Sequence, residues 1–374
     1  MKRKIAVYGK GGMSKNLMQR ISGKWKDSFE PCGLYMLEED IPETGIMGIR
    51  ELKNKIAAGQ IHALLLPPLG KEIADIIEKH QMYFECPLFY AEPRVWYGTD
   101  EELHIRLIDY ERPWLSVFEY HVNDHCNMNC RGCGHCSNLY EEPSFTSLEV
   151  YERDIKRIRE LYDGVSLIRL LGGEPLMNPE LYRFLYLTRD IFPEAQLHIV
   201  TNGILLLDMP DVLLNSIRNT GTVVDISVYP PMVPKMGQFR CFLEEKDIDY
   251  HISIADKFYR KFLPEGNGCK EEAFANCFSS ENHLLSDGKI ASCAMPFAID
   301  KLNMIYGLGI CESGWIEIND CNLDGFELNR RLKTPTGLCK YCSSKLEMYQ
   351  WEQSVKENRS LDDWIYHEGH YDRQ

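Results

Sequence analysis

Apolar and polar residues alternate along this chain in blocks that read by turns as strands and helices. Ile5-Ala6-Val7-Tyr8 predicts a short strand, and Leu17, Ile21 and Trp25 then recur at helical spacing. Between them runs Gly9-Lys10-Gly11-Gly12-Met13-Ser14-Lys15, so strand, glycine turn and helix open a βαβ unit. A second strand is expected over 33–37, a helix through Ile49, Leu52 and Ile56, and a third, buried strand over 61–66 that ends at Pro67-Pro68. From residue 114 the alternation becomes regular. Strands are predicted over 114–122, 165–171, 196–200, 223–228 and 249–254, with helical stretches over 148–162, 179–191, 211–218 and 237–244. Strands alternating with helices of that length give an α/β fold whose parallel sheet closes into a partial barrel. After Ile254 the pattern stops. Leu284-Leu285-Ser286 and Lys289-Ile290-Ala291 flank Asp287-Gly288, a strong hairpin turn. An amphipathic helix is then expected through Leu346, Tyr349 and Trp351.

The chain has 374 residues, 44% apolar and 26% charged, the composition of a soluble globular protein of two or three domains. Its 56 acidic residues outweigh 42 basic ones, for a net charge of −14. That balance argues against nucleic acid or an anionic membrane as partner. The apolar run over 63–69 is cut by Pro67 and Pro68 and is too short to span a bilayer. Met1-Lys2-Arg3-Lys4-Ile5 leads straight into a strand without a signal peptide's apolar stretch, so a cytoplasmic location is expected. In that reducing compartment 14 cysteines read as metal or cluster ligands rather than disulfides. They are unevenly spread. Cys126, Cys130, Cys133 and Cys136 crowd one short loop, and seven more lie between Cys269 and Cys342.

The strand over 114–122 delivers Asp124-His125-Cys126-Asn127-Met128-Asn129-Cys130-Arg131-Gly132-Cys133. Three thiolates spaced x3 and then x2 suit three irons of a [4Fe–4S] cluster and leave the fourth iron open. Zinc favours paired Cys-x2-Cys knuckles, and a ferredoxin run would end in three residues and Cys-Pro, whereas Cys136 follows after two and precedes Ser137. The motif resembles the signature of the radical S-adenosylmethionine (radical SAM) superfamily. Gly172-Gly173-Glu174-Pro175 resembles that family's segment against the methionyl amino group of the cofactor. Thr201-Asn202-Gly203 is similar to another recurrent strand end, and Ser227 stands where the family often has a ribose contact. The family usually has an aromatic residue before the third cysteine. Here it is Gly132, which leaves the adenine contact to His135 or Tyr120. The resemblance implies a [4Fe–4S] cluster on Cys126, Cys130 and Cys133, and S-adenosylmethionine chelated to the open iron. It further implies a 5′-deoxyadenosyl radical as the product of reductive cleavage, and an external electron donor such as flavodoxin or ferredoxin.

Farther on, the 284–291 hairpin would bring Cys277 and Cys293 together, and Cys339-Lys340-Tyr341-Cys342 completes four thiolates. This spacing resembles the twitch domain, a shortened SPASM auxiliary-cluster domain. It implies a second, fully ligated [4Fe–4S] cluster on Cys277, Cys293, Cys339 and Cys342; a structural zinc fits the same four thiolates. Cys136, Cys241, Cys269, Cys311 and Cys321 are left over. Most such thiols are small buried apolar residues; Cys269, after the glycine-rich stretch 264–268, is the candidate hydrogen-atom donor. Arg240 and Arg260 could bind an anionic substrate or simply be surface charge. His367-Glu368-Gly369-His370 reads as solvated tail.

The opening βαβ unit resembles the Rossmann-like N-terminal domain of sugar acyltransferases and polysaccharide-biosynthesis proteins, on Gly9, Gly11 and Gly12. Ser14 takes the place of the third fingerprint glycine, and the acidic partner is open among Glu38, Glu39 and Asp40. The loop would bind a nucleotide or sugar nucleotide, or the module only docks on its neighbour. The expected layout is a Rossmann-like α/β domain over 1–110, a partial parallel (β/α)6-type barrel over 111–262, a small cysteine-rich β-hairpin/helix domain over 263–345, and a C-terminal helix and tail over 346–374. The expected function is radical oxidation or epimerisation of a small polar substrate, sugar or sugar-nucleotide-like, with nearest resemblance to the twitch-type dehydrogenases of aminocyclitol antibiotic pathways. Two alternatives stand beside it. One is a peptide-modifying maturase, although those often begin with a winged-helix domain unlike this glycine loop. The other is a non-catalytic iron–sulfur or zinc scaffold.

Overall fold

A computed structural model of the chain describes residues 2–39, 44–67, 73–93, 103–108, 113–142 and 144–367. Met1, Asp40, Pro68 and Glu368-Gly369-His370, named above, lie outside the described residues. The chain divides into two units, Met1–Ser116 with Tyr162–Ser166, and Val117–Leu161 with Leu167–Gln374.

The first unit runs β1 (Arg3–Tyr8), α1 (Gly12–Gly23), β2 (Phe29–Tyr35), β3 (Ile46–Met47), α2 (Ile49–Ala57), β4 (Ala63–Leu66), α3 (Ile73–Tyr83), β5 (Leu88–Pro93) and β6 (Leu103–Leu107). Its sheet has the order β3-β2-β1-β4-β5-β6, parallel except for the antiparallel edge strand β6. A parallel sheet covered on both faces needs strands without a polar side. β1 meets that need by sending Ile5 and Val7 into one core cluster and Ala6 into the other. Glycine is required at position 9, where φ is +96° and a Cβ would stand 2.6 Å from Ser14 Oγ. Ser14 Oγ in turn donates to Tyr8 O at 2.7 Å, which closes the turn.

The second unit continues from β7 (Trp114–Asn123) through α4 (Leu148–Leu161), β8 (Gly164–Gly172), α5 (Leu181–Ile191), β9 (Gln196–Thr201), α6 (Asp211–Thr220), β10 (Val223–Val228), α7 (Met236–Glu245) and β11 (Tyr250–Ile254). There follow β12 (Lys257–Phe262), α8 (Lys270–Ala275), β13 (Leu284–Ser286), β14 (Lys289–Ala291), α9 (Met295–Tyr306), β15 (Trp315–Glu317), α10 (Gly325–Leu332) and β16 (Cys342–Gln350). The main sheet is ordered β11-β10-β9-β8-β7-β13-β14-β15. Strands β8 to β11 pair in parallel, and β13 adds in parallel beside β7, so the predicted hairpin supplies the sixth parallel position of the partial barrel. Asp154 of α4, fully buried, fixes that hairpin. It accepts hydrogen bonds from Tyr120 Oη at 2.9 Å and from the turn's Gly288 N at 3.0 Å.

The segment through Leu346, Tyr349 and Trp351 is not a helix. It is β16, paired antiparallel with β12, with Lys257 opposite Gln350 and Phe262 opposite Cys342. The apolar spacing fitted a helical face, but β12 offers a partner eighty or more residues away that local pattern does not show. Glu347 is buried in that ladder beside Arg260, while its neighbour Met348 is exposed, which is strand alternation. Among the described residues no helix is long and apolar enough to cross a membrane.

Candidate active site

Three strand ends build the site. β7 ends at Asn123, whose side chain accepts from His125 N at 3.1 Å and donates to His125 O at 2.9 Å and Glu174 O at 3.2 Å. β8 ends in Gly172-Gly173, where Gly173 N donates to Asn123 O at 2.6 Å and Glu174 N to His125 O at 3.0 Å. The two backbones approach so closely that a Cβ at either glycine would overlap the carbonyl of Asn123 or His125. β9 ends in Thr201-Asn202. Fully buried Glu174 accepts from Thr201 Oγ1 at 2.7 Å, Asn202 N at 2.9 Å and Leu176 N at 3.0 Å. Burial pushes its carboxyl up to about 7, against the opposing pull of those three donors. Asn202 then reaches the cysteine loop, donating to Asn127 Oδ1 at 2.8 Å and to Cys126 Sγ at 3.5 Å.

These strand ends border a cavity of about 320 Å³. Its wall includes Cys126, Cys130, Cys133, Gly172, Gly173, Thr201, Asn202, Ser227 and His135. On the floor, Glu119 of β7 and Arg169 of β8 form an ion pair at 2.5 Å, and burial pushes the Glu119 carboxyl up. Lys261 of β12 and Cys293 also line it. His135 is held neutral because burial lowers its pKa to about 3; its ring is hydrogen-bonded at 2.8 Å to His121, which is paired at 3.1 Å with Asp124.

Two of the loop sulfurs accept hydrogen bonds. Cys126 Sγ accepts from Met128 N at 3.4 Å as well as from Asn202, and Cys130 Sγ accepts from Trp351 Nε1 at 3.0 Å. Donors aimed at sulfur suit thiolates that share charge with iron. Burial pushes the bare Cys126 thiol up to about 12, so a cationic group is needed to hold it ionised there. Among the described residues no three His, Cys, Asp or Glu side chains close on a single ion, and a four-iron cluster is gripped across a wider span than one ion. A second, smaller cavity is lined by Cys277, Cys293, Cys339 and Cys342 together. Lys261 Nζ donates to Cys277 Sγ at 3.3 Å, and burial pushes Cys293 up to about 11 and Cys342 up to about 12. Cys293 lies on the wall of both cavities.

Residues 120–229, which hold the three-cysteine loop and all three strand ends, match the model of the Radical SAM superfamily. The chain carries a radical SAM domain. The cofactors of that family are a [4Fe–4S] cluster and S-adenosylmethionine, and the donor set on Cys126, Cys130 and Cys133 fits the first of them. The chain is 29% identical over 134 residues to a GTP 3′,8-cyclase of Nautilia profundicola, covering 35% of this chain and 42% of that protein. It is 38% identical over 91 residues to a GTP 3′,8-cyclase of Acidothermus cellulolyticus, covering 23% and 25%. It thus spans less than half the length of these curated relatives. Among solved structures, BtrN in complex with AdoMet and 2-DOIA is 19% identical, covers 61% of this chain and 92% of that one, and has a TM-score of 0.37. Histidine-tagged anSMEcpe with bound AdoMet is 18% identical, covers 37% and 43%, and has a TM-score of 0.32.

Of the sequence candidates in the radical SAM domain, Glu174 and Pro175 stand behind the cavity rather than on its wall. Glu174 spends its carboxylate on joining two loops. Tyr120 is buried against α4 through Asp154 and is not on the wall either. Gly132 explains its own departure from an aromatic. Its φ is +63°, and a Cβ would overlap Tyr349 Oη and Asp363 O, which pack onto it from the C-terminal segment. Cys269 does not meet its expectation. It is exposed at the start of α8, its Sγ 3.8 Å from Glu271 Oε2, and it is not on the cavity wall. Cys136 is a buried core residue, and Cys241, Cys311 and Cys321 are exposed. Arg260 faces Glu347 at 3.1 Å rather than the cavity, and Arg240 is exposed outside it. Sequence reasoning missed Glu119, Arg169, Lys261 and Tyr229 on the wall, and Trp351 behind it. A signal existed for Arg169, a charge in the middle of an apolar strand. None existed for Lys261 or Trp351, which arrive on the unforeseen ladder.

Proposed function

We propose that the chain is a radical SAM enzyme that removes a hydrogen atom from a small polar substrate, sugar or sugar-nucleotide-like, and so oxidises or epimerises it. The observation that carries this reading is a cavity lined by Cys126, Cys130 and Cys133 and also by Cys293, which it shares with the second cysteine set. When bound, a cluster with one open iron and S-adenosylmethionine supply reductive cleavage to a 5′-deoxyadenosyl radical. The residues of the chain hold and screen that chemistry. Gly172 and Gly173 line the cavity, where the methionyl group would meet backbone rather than a side chain, and Ser227 offers a hydroxyl to the ribose. Glu119 and Arg169 place an acceptor beside donors on the floor, which suits hydroxyl or amino groups of the substrate. Cys277, Cys293, Cys339 and Cys342 would hold an auxiliary cluster able to take an electron from the substrate side, with flavodoxin or ferredoxin as external donor to the first cluster.

A second reading, ring formation on a nucleotide, is favoured by the name of the curated relatives, GTP 3′,8-cyclase. Against it, the described cations on the cavity wall are Arg169 and Lys261, and each already has its charge offset, Arg169 by Glu119 and Lys261 by the thiol of Cys277. A triphosphate needs several uncompensated positive charges. The first glycine loop, with Gly9 and Gly11, remains the proposed place for a nucleotide or sugar nucleotide.

The test is anaerobic reconstitution with iron and sulfide, reduction with dithionite, and assay of 5′-deoxyadenosine from S-adenosylmethionine. Wild type is expected to form it, and Cys126→Ala, Cys130→Ala and Cys133→Ala to lose it by at least about a hundredfold. Equal formation by the variants would refute the reading.

A further inference from the structure

The stretch after β16 folds back over the cysteine loop and follows it residue by residue. Arg131 N donates to Glu352 O at 2.8 Å, Gln353 Nε2 to Met128 O at 3.1 Å, and Ser354 N to Asn129 O at 2.8 Å. Arg131 is pinned from the same side by Glu352 at 2.7 Å and by buried Asp363 at 2.5 Å. Tyr349 Oη donates to Arg131 O at 2.9 Å, and Trp364 Nε1 to Cys133 O at 2.9 Å. This segment therefore holds the loop on which the open cluster would sit. One of its bonds differs in kind: Trp351 Nε1 donates to the sulfur of Cys130 at 3.0 Å. The indole is itself seated against Tyr229 of the cavity wall, ring centroids 6.0 Å apart.

We propose that Trp351 is a positioning residue that sets the reduction potential of the cluster held by Cys126, Cys130 and Cys133. The inference rests on the reading of those cysteines as cluster ligands. A hydrogen bond to a ligating sulfur grows stronger as the cluster gains an electron and negative charge spreads onto sulfur. It stabilises the reduced state more than the oxidised one and raises the potential. Met128 N and Asn202 Nδ2 donate to Cys126 at 3.4 and 3.5 Å. The bond from Trp351 is shorter than either, so it is the strongest single lever in the set.

The experiment is an EPR-monitored redox titration of the reconstituted full chain, without substrate. Trp351→Phe removes the N–H and keeps an aromatic ring. It is expected to lower the reduced-to-oxidised ratio at a fixed potential by about tenfold, a shift of about 59 mV to more negative values for a one-electron couple. Trp364→Phe is the control, because its indole donates to a backbone carbonyl and not to sulfur; its shift is expected to be smaller. An unchanged potential in Trp351→Phe, or an equal shift in both variants, overturns the proposal. Should Trp351→Phe not take up iron, wild type labelled with [¹⁵N-indole]tryptophan decides. A ¹⁵N hyperfine coupling to the reduced cluster that persists in labelled Trp364→Phe supports the bond, and its absence overturns it. A wild type without any reducible cluster refutes the cysteine reading instead, so the two failures are distinguishable.

Discussion

Glu174 is a carboxylate with no exposure, tied by three donors to Thr201, Asn202 and Leu176. Its folded pKa of about 7 lies above the ordinary 4.5, so over that window the folded chain keeps a proton that the unfolded chain has released. The stability it contributes is full below about 4.5 and is lost as the pH climbs through about 7. Urea melts of wild type and Glu174→Gln should therefore show a wild-type advantage that shrinks between about pH 5 and about pH 7.5. A gap that does not change with pH would contradict this. Glu174 also shows the limit of motif reading. The sequence marks its position unmistakably, but a motif gives residues and not directions. Only packing reveals that the carboxylate faces the Thr201-Asn202 turn while glycine backbone faces the cavity. Arg169, by contrast, was legible as an oddity, since a guanidinium inside an apolar strand must find a carboxylate or a cavity, and it finds both.

At the scale of elements, the strongest local periodicity was readable, in the five barrel strands and the hairpin at Asp287-Gly288; α3, β5, β6, α9 and α10 were not foreseen, and β2 runs Phe29–Tyr35 rather than 33–37. Nor were β12 and β16 foreseen. Their pairing is long-range, and the face they bury is polar, joined by Arg260 and Glu347 at 3.1 Å. Glu347 also accepts from His367 N at 2.9 Å, and the Arg260 guanidinium lies 4.4 Å from the Tyr349 ring. Because both partners are largely buried, Glu347→Ala would leave a guanidinium unpaired in the interior, at about 3–5 kcal/mol. Glu347→Gln should cost less, since it keeps a hydrogen bond. Urea denaturation measures both. A loss in Glu347→Ala below about 1 kcal/mol would mean that the ladder is held by something other than this pair. The same ladder carries Trp351 and Tyr349 to the cysteine loop, so a segment that looked like an appended helix is part of the site.

For the whole molecule, the first unit has the parallel order β3-β2-β1-β4-β5 in which the first glycine turn follows β1, the order of dinucleotide-binding sheets. The second unit, Val117–Leu161 with Leu167–Gln374, carries most of the radical SAM domain together with the later cysteines. Two cavities share Cys293, and the account stands or falls on what the two sets of thiols bind. The most direct measurement is iron, acid-labile sulfide and zinc per chain, after reconstitution without oxygen. Two clusters predict about eight irons and eight sulfides with no zinc. About four irons with one zinc would contradict the auxiliary cluster, and a chain that binds no iron would contradict the account as a whole.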